Sequence, residues 1–377
     1  MASNYHHLPK ELIVEIMSRL PTESLIRCKC VCKSWFALIN DVISDQTFVA
    51  KHLHNVNSKI SPSSSLIYVD CHGRFSLLTS FGYGDYDEND RIRCVTKALN
   101  FPFGADDVDS LCHCDGIFCI IYSGENAVLF NPAIKESRVL PTPCFNIICL
   151  LETGFGYDPR ANDYKVVRFG ASWVEGCFKI KNVAEVYSMT TDCWKEIEMQ
   201  IELRGTYSDK KVFCKGVFYW LVCDIDYFDA VLSFNMSDEV FGVIPLPNDL
   251  GDLQTLGNIE LAVWSEVVAL CFISEESEDP ILYLEVRMMN DCSSGAKGSC
   301  CWVKHLRIQL FEGRFYPRIF WKNDELLMVG QNTDEWLVSY NLCSKKIRNV
   351  MVHGAVPSWL GILYAGSLVS VRRREQA

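Results

Sequence analysis

Few residues in this chain have types and spacings that suggest chemistry. Cys112-His113-Cys114 sets an imidazole between two thiols, the pieces of a cysteine nucleophile and its base. On an alternating strand both thiols would face the side opposite His113, so the pair would not meet. Cys28, Cys30 and Cys32 alternate in the same way, and none of the nineteen cysteines has Cys-x-x-Cys spacing, so neither a zinc knuckle nor a redox pair is expected. Asp85, Asp87, Glu88 and Asp90 resemble a calcium loop, but Asp90 stands where the turn glycine belongs and Thr96 where the bidentate Glu belongs. They read as a solvated acidic loop, as do Asp106, Asp107 and Asp109, and Glu275, Glu276, Glu278 and Asp279.

Gly82-Tyr83-Gly84 lacks the third glycine and the following helix of a dinucleotide fingerprint. Gly-x-Ser-x-Gly, His-Glu-x-x-His and phosphate-loop patterns are absent from the sequence, so no catalytic residue, metal or cofactor is expected. Asn235-Met236-Ser237 is a glycosylation sequon, meaningful only after export, and Arg372-Arg373-Arg374 reads as a solvated basic terminus.

The elements that carry these residues differ along the chain. With 377 residues, 49% of them hydrophobic and 12% aromatic, a soluble chain with a sizeable core and more than one domain is expected. Met1–His7 shows no basic region followed by an apolar one, so export is not expected and the cysteines read as reduced thiols. Residues 1–50 hold five basic and five acidic side chains, which leaves the whole net charge of −11 on residues 51–377. Such an acidic part disfavours nucleic acid and favours a basic protein partner.

The first fifty residues read as three short helices. Pro9 opens the first, which carries Leu12, Ile13, Ile16, Met17 and Leu20 as one apolar stripe until Pro21 stops it. Thr22 is placed to cap a second helix with Leu25, Ile26 and Val31, and Trp35, Phe36, Leu38 and Ile39 mark a third. So small a core suits a unit whose apolar face a partner completes. Residues 51–65, ending in Ser61-Pro62-Ser63-Ser64-Ser65, read as a linker.

From 66 to 370 short β-type runs take over. One kind starts at 116, 164, 216, 266 and 325; a second follows at 128, 184, 231, 281 and 336, and several lead through a polar turn to a third. A degenerate period near 50 with several strands per period predicts a propeller of five or six blades, with an earlier unit at 66–79; an irregular pair of β-sandwiches is the alternative. The fold class is therefore α+β and multidomain: a small helical unit, then a large all-β domain.

The pattern Leu8-Pro9-x-Glu11-Leu12, Ile16, Leu20-Pro21, Leu25, Val31-Cys32-Lys33-x-Trp35 resembles the F-box. Cys114-Asp115-Gly116, Leu129-Phe130-Asn131-Pro132, Gly154-Phe155-Gly156-Tyr157-Asp158, Asp163-Tyr164-Lys165, Glu185-Val186-Tyr187 with Trp194, and Ile244-Pro245-Leu246-Pro247 resemble the F-box-associated domain of plants, most of all the S-locus F-box proteins of pollen. By local chemistry, Gly154 and Gly156 would relieve a tight turn, and Asp158-Pro159 would turn the chain before Tyr164.

The resemblance implies a non-catalytic receptor subunit of an SCF-type ubiquitin ligase, cytoplasmic or nuclear. In it Leu8, Pro9, Ile13, Ile16, Leu20, Pro21 and Leu25 would meet a Skp-type adaptor, and through it a cullin and a RING subunit. Val31 and Trp35 would hold the helices together. The β domain would present a target protein, in the pollen case a basic non-self style ribonuclease, with the acidic loops at 85–90, 106–109 and 275–279 steering it. A receptor for a hormone or defence target is the first alternative, and a propeller enzyme the second.

Overall fold

The computed structural model describes residues 8–58, 65–70, 74–80, 91–99, 101, 108–122, 127–145, 149–173, 180–199, 201, 206–223, 230–247, 250, 259–275, 282–290, 302–310, 315–322, 324–330, 337–352 and 357–372. Four helices come first: α1 (Lys10–Met17), α2 (Thr22–Cys28), α3 (Lys33–Ser44) and α4 (Gln46–Ser58). Pro9 and Pro21 stand just before α1 and α2, where a missing N–H costs no helical bond. Thr22 does not cap α2. It is that helix's first residue, and its hydroxyl donates instead to the Gly366 carbonyl.

The fourth helix corrects the linker expected from residue 51. Asp45 Oδ1 accepts from Thr47 N at 2.8 Å and so caps α4. Phe48 enters the helical core, a buried His52 ring nitrogen lies 2.9 Å from Leu20 O, and Asn55 donates to Ser18 O at 3.0 Å. Much of α4 is thus held by polar side chains, which an apolar stripe does not reveal.

Among the described residues the strands form six four-stranded antiparallel blades. The first combines β1 (Ser65–Asp70), β2 (Phe75–Ser80) and β3 (Ile92–Ala98) with β24 (Pro357–Tyr364) from the chain end, which pairs with β1 and closes the ring. The second is β4 (Val108–Cys114), β5 (Ile117–Tyr122), β6 (Ala127–Asn131) and β7 (Glu136–Val139). The third is β8 (Cys149–Asp158), β9 (Asp163–Trp173), β10 (Ile180–Ser188) and β11 (Cys193–Ile197). The fourth is β12 (Thr206–Cys214), β13 (Val217–Cys223), β14 (Ala230–Asn235) and β15 (Val240–Pro245). The fifth is β16 (Ile259–Trp264), β17 (Val267–Glu275), β18 (Leu282–Met289) and β19 (Trp302–Leu310). The sixth is β20 (Phe315–Lys322), β21 (Glu325–Gly330), β22 (Leu337–Asn341) and β23 (Lys346–Met351). β23 also pairs edge to edge with β3, Val350 opposite Ile92.

The innermost strands β4, β8, β12, β16, β20 and β24 pack side by side in that order. Charged ties cross between them: Lys211 of β12 meets Glu152 of β8 and Ser110 of β4, each at 2.7 Å, and Glu260 of β16 lies 3.5 Å from Lys210 and 3.6 Å from Arg318 of β20. The turns repeat too. Asn131, Asn235 and Asn341 each end a blade's third strand and accept backbone N–H bonds from the turn that follows, which closes on a left-handed Lys135, Glu239 or Lys345.

Apolar residues fill the spaces between blades. Gly154 and Gly156 do not make a turn; they lie within β8. A Cβ at Gly154 would stand 2.6 Å from Trp220, and one at Gly156 2.3 Å from Phe213, so both glycines make room for the aromatics of the fourth blade. Asp158-Pro159 does turn the chain, with Asp158 Oδ1 accepting from Arg160 N at 2.9 Å.

Candidate functional site

The apolar stripe expected on α1 is two stripes. Ile13, Met17 and Leu20 turn inward with Leu25, Ile39, Val42 and Phe48 into the helical core. Leu12 and Ile16, four residues apart on α1, turn outward, as does Leu8 just before the helix, and the exposures of Leu8, Leu12 and Ile16 are 55%, 51% and 51%. Pro9, Pro21, Val31 and Phe36 are exposed as well. Polar contacts fix the rim: Lys10 lies 3.3 Å from Asp41, and Glu15 is paired with Lys51 and Arg19. Those two cations, Lys51 foremost, hold the Glu15 carboxyl below its usual range.

Of the seven residues implied by the F-box resemblance, four are thus on the surface: Leu8, Pro9, Ile16 and Pro21. Ile13 and Leu20 are half-buried against the core. Leu25 has no exposed surface and packs the box itself, so it is not available to a partner. Val31, expected to hold the helices together, is 66% exposed, while Trp35 does pack on the core. Leu12 and Phe36 join the exposed set. Leu12 shares the helix face of Ile16, a four-residue spacing visible in the sequence. The surface has no reactive group; it can only shed water against a complementary apolar surface, at about 1.5–3 kcal/mol for each side chain of this size fully covered.

Cys112 and Cys114 face the core between the second and third blades, while His113 packs on the other side against Phe118 and Tyr364. Burial raises Cys112 to about 11, holds His113 down to about 3, and leaves its Nε2 accepting from Gly116 N at 3.1 Å. The constellation is therefore packing, with base and thiols kept apart. Twelve of the cysteines, Cys112, Cys114 and Cys119 among them, are free thiols, and among the described residues no cluster of His, Cys, Asp and Glu has a metal-binding arrangement. Among them, too, no helix is long and apolar enough to cross a membrane.

Of the acidic candidates, Asp109 is exposed at the start of β4, and Glu275 ends β17. Asp85, Asp87, Glu88, Asp90, Asp106, Asp107, Glu276, Glu278 and Asp279 lie outside the described residues.

Comparison with known proteins matches both parts. The family described as F-box associated beta propeller domain matches residues 75–371, and an F-box-like family matches residues 5–44. An Arabidopsis thaliana F-box protein is 30% identical over 64% of this chain and 61% of its own length. A second from that plant is 25% identical over 97% of this chain and 99% of its own. The Arabidopsis F-box/WD-40 repeat-containing protein 1 is 28% identical over 85% of this chain and 76% of its own. Among solved structures, TolB from Acinetobacter baumannii aligns with TM-score 0.41 and 9% identity over 85% of this chain and 72% of that one.

Proposed function

The chain belongs to the F-box associated beta propeller family, with an F-box-like segment ahead of the propeller, and on that premise we propose that it is the substrate receptor of an SCF-type ubiquitin ligase. The observation that carries this reading is the outward set of Leu8, Leu12 and Ile16 on a helical unit whose core is already filled, Leu368 included. A filled core leaves these residues without an internal role, and a second apolar helical surface would cover them.

In this reading α1–α4 dock on a Skp-type adaptor and, through it, reach a cullin and a RING subunit in the cytoplasm or nucleus. The docking unit runs on through α4 to Ser58, and the ring from Ser65 to Tyr364 holds the target. The chain makes and breaks no bond. It raises the effective concentration of target lysines near the ubiquitin-charged enzyme. The charge of −11 beyond residue 50 favours a basic target, and the style ribonucleases implied by the pollen resemblance are one such class.

Mixing the full chain with a purified plant Skp-type adaptor and weighing the eluted species tests the reading. A one-to-one complex is expected. Separate elution at micromolar concentrations of both would overturn it.

A further inference from the structure

The helical unit and the propeller meet along one segment of the chain, beside Ile134 and an ion pair between Lys97 of β3 and Glu23 of α2 at 3.1 Å. After β24 the chain continues as Ala365–Arg372 without regular structure. Its side chains divide between the two domains. Leu368, 2% exposed, packs with Met17, Leu25 and Ile39 in the helical core, with Ile134 of the β6–β7 turn against the same cluster. Val371, fully buried, and Val369 pack instead with the second, third and fourth blades.

Its backbone is held from both sides as well. Thr22 Oγ1 donates to Gly366 O at 2.5 Å across 344 residues of sequence. The buried Asn131 side chain donates to Ser367 O at 3.1 Å and to Val369 O at 2.8 Å. Glu136 accepts from Ser370 Oγ at 2.6 Å and from Val371 N at 3.2 Å. Gly116 keeps the path open: a Cβ there would stand 2.7 Å from Ala365 O and 2.9 Å from Ser367 N.

We propose that Ala365–Arg372 is a clasp that completes the core of the helical unit and fixes that unit in one orientation on the propeller. Physical scale supports the first half. A helical unit of about fifty residues buries little surface and is marginal alone, so one more enclosed leucine counts heavily. The second half follows from the alternation: the segment cannot leave one domain without stripping a buried side chain from it. The clasp stands whether or not the helices bind an adaptor; if they do, it also fixes how far the target lies from the ligase, which sets effective concentration.

Hydrogen exchange on the full chain alone, without adaptor, tests this. Wild type is compared with Leu368→Ala, Leu368→Met and Thr22→Val. In Leu368→Ala, amides of α1, α2 and α3 should exchange at least about thirtyfold faster while those of β9 and β13 are unchanged. Leu368→Met should restore most of the protection, and Thr22→Val should give a smaller loss confined to the same helices. Small-angle scattering should show a larger maximum dimension for Leu368→Ala. Helix exchange equal to wild type in Leu368→Ala would overturn the proposal, and so would equal acceleration in helices and blades, which marks general unfolding. Since adaptor is absent, failure here and failure of the receptor reading are separate results.

Discussion

Removing Glu185 alone should cost more than removing Glu185 and Arg168 together. The two face each other across β9 and β10 and are 0% and 2% exposed. Arg168 Nη2 also donates to Phe145 O at 2.8 Å, and Glu185 Oε2 accepts from Cys144 N at 2.7 Å. The pair thus ties down the connection from the second blade to the third. Trp194 adds to it, with Arg168 5.3 Å over its ring and its own Nε1 donating to Pro141 O at 2.8 Å. In Glu185→Leu a buried guanidinium loses its counter-charge, which should cost about 3–5 kcal/mol. The double variant Glu185→Leu, Arg168→Met has no charge left to strand. It loses the Trp194 contact and the anchors of Cys144 and Phe145, and each such lost bond costs about 1–3 kcal/mol when its backbone group stays buried. As that connection can reach water, the lower end applies. Urea unfolding followed by tryptophan fluorescence gives the three midpoints. The single variant should unfold at lower urea than the double. A double variant that unfolds at lower urea than Glu185→Leu would refute the stranded-charge reasoning.

Four further outcomes are expected. Gly154→Ala should destabilise by about 1–3 kcal/mol, because Trp220 is fully buried and held by its Nε1 bond to Thr153 O; an unchanged denaturation midpoint would contradict that. Gly116→Ala should lower the melting temperature, since its φ of +77° is strained for alanine and the new Cβ meets backbone. His113 should stay neutral well below its ordinary 6.5. The unfolded chain binds that proton and the native chain does not, so stability should fall as pH drops from about 6.5 towards 3, and an imidazole resonance titrating near 6.5 would contradict the burial. If a basic target is captured, its association should slow with added salt while adaptor binding changes little; association rates flat in salt would remove steering.

The propeller was legible in the sequence because its second and third strands are nearly continuous apolar runs. β5, from Ile117 to Tyr122, is buried at every position. The innermost strands were not legible. β4 reads Val-Asp-Ser-Leu-Cys-His-Cys and packs on both sides with small and polar residues among the apolar ones, and Lys210, Lys211 and Glu152 belong to inter-blade ties that leave no local pattern. Without β24 the first unit also looked incomplete, because its innermost strand comes from the other end of the chain. Gly154 and Gly156 show the same limit: glycine signals freedom of backbone and closeness of a neighbour alike, and only the packing of Phe213 and Trp220 tells which. On the helices, the sequence shows one apolar stripe of Leu12, Ile13, Ile16, Met17 and Leu20, which the fold divides into an inward and an outward one. Which stripe faced inward depended on Leu368, distant in sequence.

The most direct test of docking through α1 is the affinity of a purified Skp-type adaptor for Ile16→Asp, measured by calorimetry beside wild type. Leu20 is a poor choice, because it packs on the helical core and its loss would unfold the unit. Ile16 is half exposed, so the variant should melt with wild type. A carboxylate forced into an apolar contact should nevertheless weaken binding at least about a hundredfold. Val240→Asp, on the exposed outer strand of the fourth blade, serves as control and should bind as wild type. Wild-type affinity in the Ile16→Asp chain would contradict docking through this stripe.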